Sequence, residues 1–184
     1  QRGLSQKFIH SVRDNYTLEK LKACGVNNVI NTGCPTLWQL SPAHLTQVPA
    51  EKTDQVIFTL TDYSRDLEKD IALVTCLKKN YKKLYFWAQG SEDNQYFYEL
   101  YQFQPDIFSD IERIPTNLKA YNSLLSQHDI DFIGTRLHAG VRALQLKKRA
   151  IIIGIDNRAL EMHKDFNLPV VERHDLFKLD QLID

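Results

Sequence analysis

The sequence contains no CxxC pair, no low-complexity tract and no long hydrophobic run. Its three cysteines, Cys24, Cys34 and Cys76, are an odd number at wide spacing. This argues against a disulfide framework and a zinc site, and favours a reducing, cytoplasmic compartment. The longest aliphatic run, residues 150–153, is far too short to cross a bilayer. No charged segment followed by an apolar one opens the chain, so no signal peptide is expected.

The sequence also has no excess of positive or negative charge. The 23 Lys and Arg residues balance the 23 Asp and Glu residues, so the net charge gives no sign of a nucleic-acid partner. Apolar residues make up 43% of the chain and aromatic residues are plentiful, which argues against disorder and favours a packed core. A length of 184 residues suits one domain. No carboxylate or His/Cys cluster has the spacing of metal ligands, so no metal is expected.

Short β-branched or aromatic runs alternate with helical patterns along the chain. The predicted strands are residues 7–12, 28–31, 55–60, 83–88, 106–108, 131–133, 150–155 and 169–171. The predicted helices start at Thr17, Ser64, Ser91 and Asn117, and then span residues 137–146, 158–166 and 176–183. This alternation predicts an α/β fold with an open, doubly wound, mostly parallel sheet and helices on both faces, which is a Rossmann-like architecture.

In such sheets ligands bind beyond the carboxyl ends of the strands. The segment at 131–144 is the strongest candidate, because a strand ends at Gly134 and a helix begins within three residues. Arg136 lies in the turn, and His138 and Arg142, four residues apart, share one face near the helix N-terminus. Free backbone N–H groups and guanidinium groups together suit a phosphate or carboxylate.

Small residues of the same segment extend this candidate site. Thr135 belongs to the turn, and Ala139 and Gly140 are small enough to let a ligand approach the backbone. A strand–Gly–helix junction is also common as a plain connection, and a single residue such as His138 is often only a surface histidine. The sequence alone leaves both interpretations open.

Two other strand ends carry arginines. Arg13 follows the first predicted strand next to Asp14, and Arg158 opens a helix after residues 154–157. The structural alternatives are an Arg13–Asp14 surface pair and a plain Asp or Asn helix cap at residues 156–157. Cys34 follows the second strand, but no base lies near it in the sequence, so packing is the favoured interpretation.

Taken together, these segments resemble the polysaccharide pyruvyl transferase family. The resemblance depends on Ser11-Val-Arg-Asp, Asn31-Thr-Gly-Cys-Pro-Thr, Ile133-Gly-Thr-Arg-Leu-His-Ala-Gly-Val-Arg-Ala and Gly154-Ile-Asp-Asn-Arg, in that order. Members resemble two-domain glycosyltransferases of the B type, with two Rossmann-like halves that face a cleft. The resemblance implies that residues 1–184 form a single domain equivalent to the C-terminal, donor-binding half, and that the N-terminal half is a missing partner.

The resemblance also implies a reaction. The family transfers the carbon skeleton of phosphoenolpyruvate to two hydroxyls of a sugar, as a cyclic ketal, during exopolysaccharide or cell-wall polysaccharide biosynthesis. Arg13 and Arg136 match its anion-binding arginines, His138 matches its essential histidine and is expected to be the general acid, and Arg158 stands where relatives often carry Lys. Thr135, Ala139, Gly140 and Arg142 are further substrate-binding candidates.

Phosphoenolpyruvate is the donor substrate in this interpretation, and no cofactor is expected. The acceptor is a saccharide, and a lipid-linked acceptor would bring a cytoplasmic enzyme to the inner face of the membrane as a peripheral protein. A homo-oligomer is left open. One alternative is the donor domain of a nucleotide-sugar glycosyltransferase, whose arginines and helix N-terminus would bind a diphosphate. Another is a non-catalytic domain that binds an anionic metabolite.

Overall fold

A computed structural model describes residues 3–184 of the chain. The strands are His10–Val12 (β1), Val29–Asn31 (β2), Gln55–Thr59 (β3), Lys83–Trp87 (β4), Glu112–Ile114 (β5), Asp131–Gly134 (β6), Ala150–Gly154 (β7) and Val170–Glu172 (β8). The α-helices are Asn15–Ala23 (α1), Pro42–Leu45 (α2), Leu67–Asn80 (α3), Ser91–Phe103 (α4), Pro105–Phe108 (α5), Leu118–Gln127 (α6), Leu137–Gln145 (α7), Asn157–Phe166 (α8) and Leu179–Ile183 (α9). Short 3₁₀ segments cover Pro35–Leu37, Asp62–Ser64 and Arg173–Lys178.

Strands β3 to β8 form a six-stranded parallel sheet in the order β5-β4-β3-β6-β7-β8. From β3 the chain moves outward through β4 to β5 and then returns to β6 on the other side of β3. The topological switch point, where ligands bind in open α/β sheets, therefore lies between β3 and β6. The predicted open, doubly wound, Rossmann-like fold is confirmed.

Hydrophobic cores cover both faces of this sheet. Along β3, Val56 and Phe58 point to one face and Ile57 to the other, as the two-residue period of a strand requires. The first face packs against α3, α4, α5 and α9, and the second against α6, α7 and α8. Because strands buried on both sides need apolar residues at every position, β7 is apolar throughout.

Strands β1 and β2 do not join the main sheet, contrary to the prediction of one sheet. Within residues 3–184 they pair in parallel with each other alone, and α1 connects them. Asp165, in the last turn of α8, holds this β1–α1–β2 unit: it accepts hydrogen bonds from the backbone N–H of Asn15 (2.6 Å) and from the side-chain amide of Asn31 (3.3 Å). These polar contacts join the unit to α8, which packs on the larger sheet.

The predicted strand at residues 106–108 is wrong, because those residues form α5 and the edge strand is β5, Glu112–Ile114. Pro105 has the fixed φ that suits the first turn of a helix, and a three-residue apolar pattern does not distinguish helix from strand. The final predicted helix, 176–183, is a 3₁₀ segment followed by the short helix α9.

Two helices do not start where the sequence predicted: α1 starts earlier than Thr17, and α3 starts later than Ser64. The N-cap of α1 is Asp14, whose carboxylate accepts from the backbone N–H of Thr17 (2.7 Å). The N-cap of α3 is Asp66 rather than Ser64. In both places an Asp in the extended conformation offers a stronger, charged acceptor to the first turn. Within residues 3–184, no helix has the length and apolar character needed to cross a membrane.

Candidate functional site

The turn that joins β6 to α7 is held against the end of β3. A Cβ atom at Gly134 would lie 2.8 Å from the carbonyl oxygen of Thr59, so only glycine allows the two strands to approach this closely. The backbone N–H of Arg136 donates to the hydroxyl of Thr59 (3.1 Å). The first turn of α7 therefore begins at the switch point of the sheet and is bonded to the end of β3.

Thr135 lies inside this junction. Its side chain is buried, and its hydroxyl bonds to that of Thr61 (2.7 Å) and donates to the carbonyl of Thr59 (3.3 Å). These contacts give Thr135 a role in joining the loops after β3 and β6. Direct contact between Thr135 and a ligand stays a prediction.

Arg136 forms ion pairs with two carboxylates. Nη2 donates to Asp62 (2.6 Å) and to Asp93, and Nε donates to the second oxygen of Asp93 (3.2 Å). The guanidinium also lies 5.1 Å from the ring centre of Tyr63, and its side chain is only 16% exposed. Within residues 3–184, Nη1 has no hydrogen-bond partner. Arg136 thus holds together the loops that follow β3 and β4. Direct binding of an anion by Arg136 stays a prediction, and Nη1 is the nitrogen that would donate to it.

Asp93 is the centre of this network. It is fully buried and also accepts from the backbone N–H groups of Asp62 (3.1 Å) and Gln89 (3.0 Å). Four donors from three loops therefore converge on one carboxylate, which offsets the cost of burying its charge.

His138 lies one residue beyond the start of α7 and has an exposed side chain. Desolvation lowers the pKa of its imidazole, and the positive charges of Arg158 and Arg13 lower it further, while the carboxylate of Asp156 opposes them. Both guanidinium groups therefore lie within electrostatic reach of the His138 imidazole, although the three residues come from different elements. We call Arg13, His138 and Arg158 the cationic cluster.

Both arginines of the cluster have a carboxylate partner from their own element. Arg13 Nε donates to Asp14 (3.1 Å), and the side chain of Arg13 is 47% exposed. Arg158 donates through Nε and Nη2 to Asp156 (3.0 and 2.5 Å) and through Nη2 to the hydroxyl of Tyr63 (2.7 Å). The Arg13–Asp14 pair considered from the sequence is thus present, and it leaves both terminal nitrogens of Arg13 without a partner within residues 3–184.

Asp156 also caps α8, since it accepts from the backbone N–H of Arg158 (2.9 Å). Burial disfavours its charged form, but the hydrogen bond and the charge of Arg158 outweigh burial and lower the pKa of the carboxyl. The cap and the ion pair fix the direction of the Arg158 side chain.

Ala139, Gly140 and Arg142 lie farther along α7. Ala139 is buried and its carbonyl accepts from Tyr121, and a Cβ at Gly140 would overlap the side chain of Ile152. Their small size is therefore explained by packing on the sheet, and their contact with a ligand stays a prediction. Arg142 donates to Asn122 (2.9 Å) and Gln145 (3.0 Å). It shares an open cavity of about 220 Å³ with His138.

Three residues near the cluster were not predicted as site residues: Asp62, Tyr63 and Cys34. Asp62 and Tyr63 follow β3 directly, and their position after a central strand was a signal available in the sequence. Cys34 had no such signal, because its neighbour His138, with Nε2 3.8 Å from Sγ, lies 104 residues away in the chain. Within residues 3–184, no group of three or more His, Cys, Asp or Glu side chains is placed to hold a metal ion.

Comparison with known proteins gives one match. A family model described as polysaccharide pyruvyl transferase matches residues 2–157, which include Arg13, Arg136 and His138 and end one residue before Arg158. Neither the curated proteins nor the solved structures give a significant match. The family match covers most of the chain, including the segments that carry Arg13, Arg136 and His138. The chain therefore belongs to the polysaccharide pyruvyl transferase family, whose members are transferases with saccharide acceptors.

Proposed function

We propose that this chain binds phosphoenolpyruvate and forms the donor site for its transfer to a saccharide as a cyclic pyruvate ketal. The observation that carries the proposal is the cationic cluster: Arg13, His138 and Arg158 come from three separate elements, and the charges of Arg158 and Arg13 add to desolvation in lowering the pKa of the His138 imidazole. Assembling like charges is unfavourable in the empty protein. An anionic ligand removes that cost, so the cluster favours a ligand with more than one negative charge.

Phosphoenolpyruvate meets this requirement because it carries a carboxylate and a phosphate. Arg13 keeps two terminal nitrogens available, and Arg158 is held in place by Asp156 and Tyr63. Paired guanidinium donors bind carboxylate and phosphate oxygens bidentately. In this proposal Arg136 positions the loops through Asp62 and Asp93 and directs Nη1 toward the donor.

The reaction needs a proton at carbon and a leaving phosphate. In the proposed mechanism, His138 donates a proton to the methylene carbon of the donor, and the central carbon becomes electrophilic. One sugar hydroxyl attacks that carbon, the bond to the phosphate oxygen breaks, and the second hydroxyl closes the ketal. Of the two hydroxyl protons, one restores His138 and the other leaves on the phosphate. The guanidinium groups stabilise the charge that develops on the departing phosphate.

The biological setting of the proposal is the synthesis of exopolysaccharide or cell-wall polysaccharide. A lipid-linked saccharide as acceptor places the reaction at the cytoplasmic face of a membrane. The family match supports a saccharide acceptor, and the acceptor's identity and linkage belong to the proposal.

Calorimetric titration tests donor binding. We expect phosphoenolpyruvate to bind more tightly than inorganic phosphate or a uridine diphosphate sugar. Arg13→Ala and Arg158→Ala should each weaken the Kd about tenfold, which corresponds to the loss of about 1.4 kcal/mol. Arg113→Ala, on the edge strand β5 away from the switch point, is the matched control and should leave the Kd unchanged. Tighter binding of the nucleotide sugar would support a glycosyltransferase instead.

Turnover tests the role of His138. With phosphoenolpyruvate and a saccharide acceptor, release of inorganic phosphate should be lost in His138→Ala, while the circular dichroism spectrum and the melting temperature stay close to those of the unmodified protein. Near-normal turnover in this variant would remove His138 from the mechanism.

A further inference from the structure

A cysteine thiol lies against the imidazole of the cationic cluster. Cys34 Sγ is 3.8 Å from Nε2 of His138 and 3.1 Å from the hydroxyl of Thr36. The side chain of Cys34 is partly exposed. Cys34 packs against the core on the second face of the sheet, as the sequence favoured, and its thiol also contacts the imidazole that is expected to move a proton.

Fixed contacts hold this thiol in place. Gly33 has a positive φ of 72°, and a Cβ there would lie 3.1 Å from the ring of Phe166, so the backbone passes closely over the end of α8. Its N–H donates to the side chain of Asn31 (2.9 Å). On the other side of Cys34, the carbonyl of Thr36 accepts from Gln145 of α7 (2.7 Å).

Because α7 also carries His138, the thiol and the imidazole belong to one connected structure. The segment 31–36 is bound to α7 and, through Asn31 and Asp165, to α8. Small motions of the segment therefore move Cys34 together with the imidazole, and the contact between them is preserved.

We propose that Cys34 is a positioning residue of the donor site: its thiol orients the imidazole of His138, and an anion bound beside His138 shields that thiol. The proposal rests on the proposed function and adds a residue to it. It has two consequences, one in the empty protein and one in the complex, and the two can be measured separately.

The first test uses the protein without ligand. NMR titration of the histidine rings is expected to show that Cys34→Ala raises the pKa of His138 toward the ordinary value of 6.5, since water then reaches Nε2. Cys34→Ser should restore the original titration, because its hydroxyl replaces the contact. Cys76→Ser is the control, because Cys76 lies on the side of α3 that faces α9. This variant should leave the titration of His138 unchanged. Identical titration of His138 in Cys34→Ala and in the unmodified protein would overturn the proposal.

The second test measures alkylation of each cysteine by iodoacetamide, followed by peptide mass spectrometry. With phosphoenolpyruvate at about ten times its Kd, the rate at Cys34 should fall about tenfold, as mass action requires when only the empty site reacts. The rates at Cys24 and Cys76 should not change. An unaltered rate at Cys34, with binding confirmed by calorimetry, would contradict the shielding. Absence of binding would refute the proposed function, and the ligand-free titration would still decide the role of Cys34.

Discussion

The surroundings of His138 favour its neutral imidazole in the empty protein. Desolvation and the guanidinium groups of Arg158 and Arg13 hold its pKa below the ordinary 6.5. The folded pKa is therefore lower than the unfolded one, so the stability that the neutral imidazole contributes is fully present above pH 6.5 and is lost as the pH falls through the folded pKa. A bound dianion reverses this effect, since it favours the charged imidazole.

We therefore expect the protein to take up protons when phosphoenolpyruvate binds near neutral pH. Calorimetry in two buffers with different ionisation enthalpies gives the number of protons, which should be smaller in His138→Gln by up to about one. Arg113→Ala should show the same uptake as the unmodified protein. Equal uptake in His138→Gln would mean that another group, such as the donor phosphate, accounts for the protons.

Gly140 shows how a single missing side chain allows α7 to pack on the sheet. A Cβ there would lie 2.9 Å from Cδ1 of Ile152 and closer still to Cγ1, and 3.0 Å from the ring of Phe132. Gly140→Ala should lower the free energy of unfolding by about 1–3 kcal/mol through overpacking, although alanine itself favours a helix by about 1 kcal/mol. Urea unfolding measures this, with Gly3→Ala as the control because its Cβ would meet no atom within 4 Å. Unchanged or increased stability of Gly140→Ala would show that the helix shifts without cost.

At the level of elements, the β1–α1–β2 unit contributes to the site without belonging to the main sheet. It carries Arg13 and Cys34 on the segments that follow β1 and β2, and Asp165 holds it through Asn15 and Asn31. A two-stranded parallel pair has little core of its own, so its position depends on such contacts.

Removing the carboxylate of Asp165 should therefore loosen the site while the main sheet stays folded. Asp165→Ala is expected to cost about 2 kcal/mol at the contact, the usual value for hydrogen bonds to a charged group, and to weaken phosphoenolpyruvate binding severalfold. Hydrogen exchange should become faster at the amides of β1 and β2 and remain unchanged in β3, β6 and β7. Lys164→Ala, at the neighbouring exposed position of α8, is the control. Equal exchange in the two variants would show that other contacts hold the unit.

Across the whole molecule, two partly buried arginines hold the C-terminal segment over one face of the sheet. At the carboxyl end of β8, Arg173 donates to the buried carboxylate of Asp70 and to the carbonyl of Ser64 (2.5 Å). At the amino ends of β6 and β7, Arg149 donates to Asp131 (3.2 Å) and to the carbonyl of Ile183 (2.7 Å). The segment thus crosses the full height of the sheet and is bound at both ends.

Loss of one of these arginines should destabilise the whole domain and make its stability depend on pH. Arg173→Ala leaves Asp70 buried without its cation, which typically costs about 3–5 kcal/mol. Burial already raises the pKa of Asp70, and removal of Arg173 raises it further. The folded state then holds a proton that the unfolded state releases, so stability falls as the pH rises from 3.8, by at most about 1.4 kcal/mol per pH unit.

Urea unfolding over a range of pH measures both effects. Lys79→Ala is the control, because Lys79 also lies on α3 and joins it to α9 through an exposed pair with Asp180, and such pairs contribute about 0–1 kcal/mol. A pH profile for Arg173→Ala parallel to that of the control would contradict the assignment of Asp70.

The main sheet was largely predictable because its strands are apolar runs whose burial requires that composition. Strands β3, β4, β6 and β7 lie within two residues of their predicted bounds, and the turn at Gly134 and the helix at Leu137 follow from the same local pattern. The edge strand β5 was missed, since Glu112–Ile114 has one neighbour and carries a mixed polar sequence. The hydrophobic pattern of a short segment indicates how deeply the segment is buried, and the residues of an edge strand such as β5 are less buried.

Sequence was sufficient for the fold class, for the family resemblance and for Arg13, His138 and Arg158 as candidates, because each depends on residues that are close in the chain or on motifs in a fixed order. Tertiary structure was needed to show that carboxylates engage Arg136, that β1 and β2 form a separate pair, and that Cys34 meets His138. These features arise from contacts between residues tens to more than a hundred positions apart. Such contacts depend on how the helices and strands pack, and the composition of a short segment does not determine that packing.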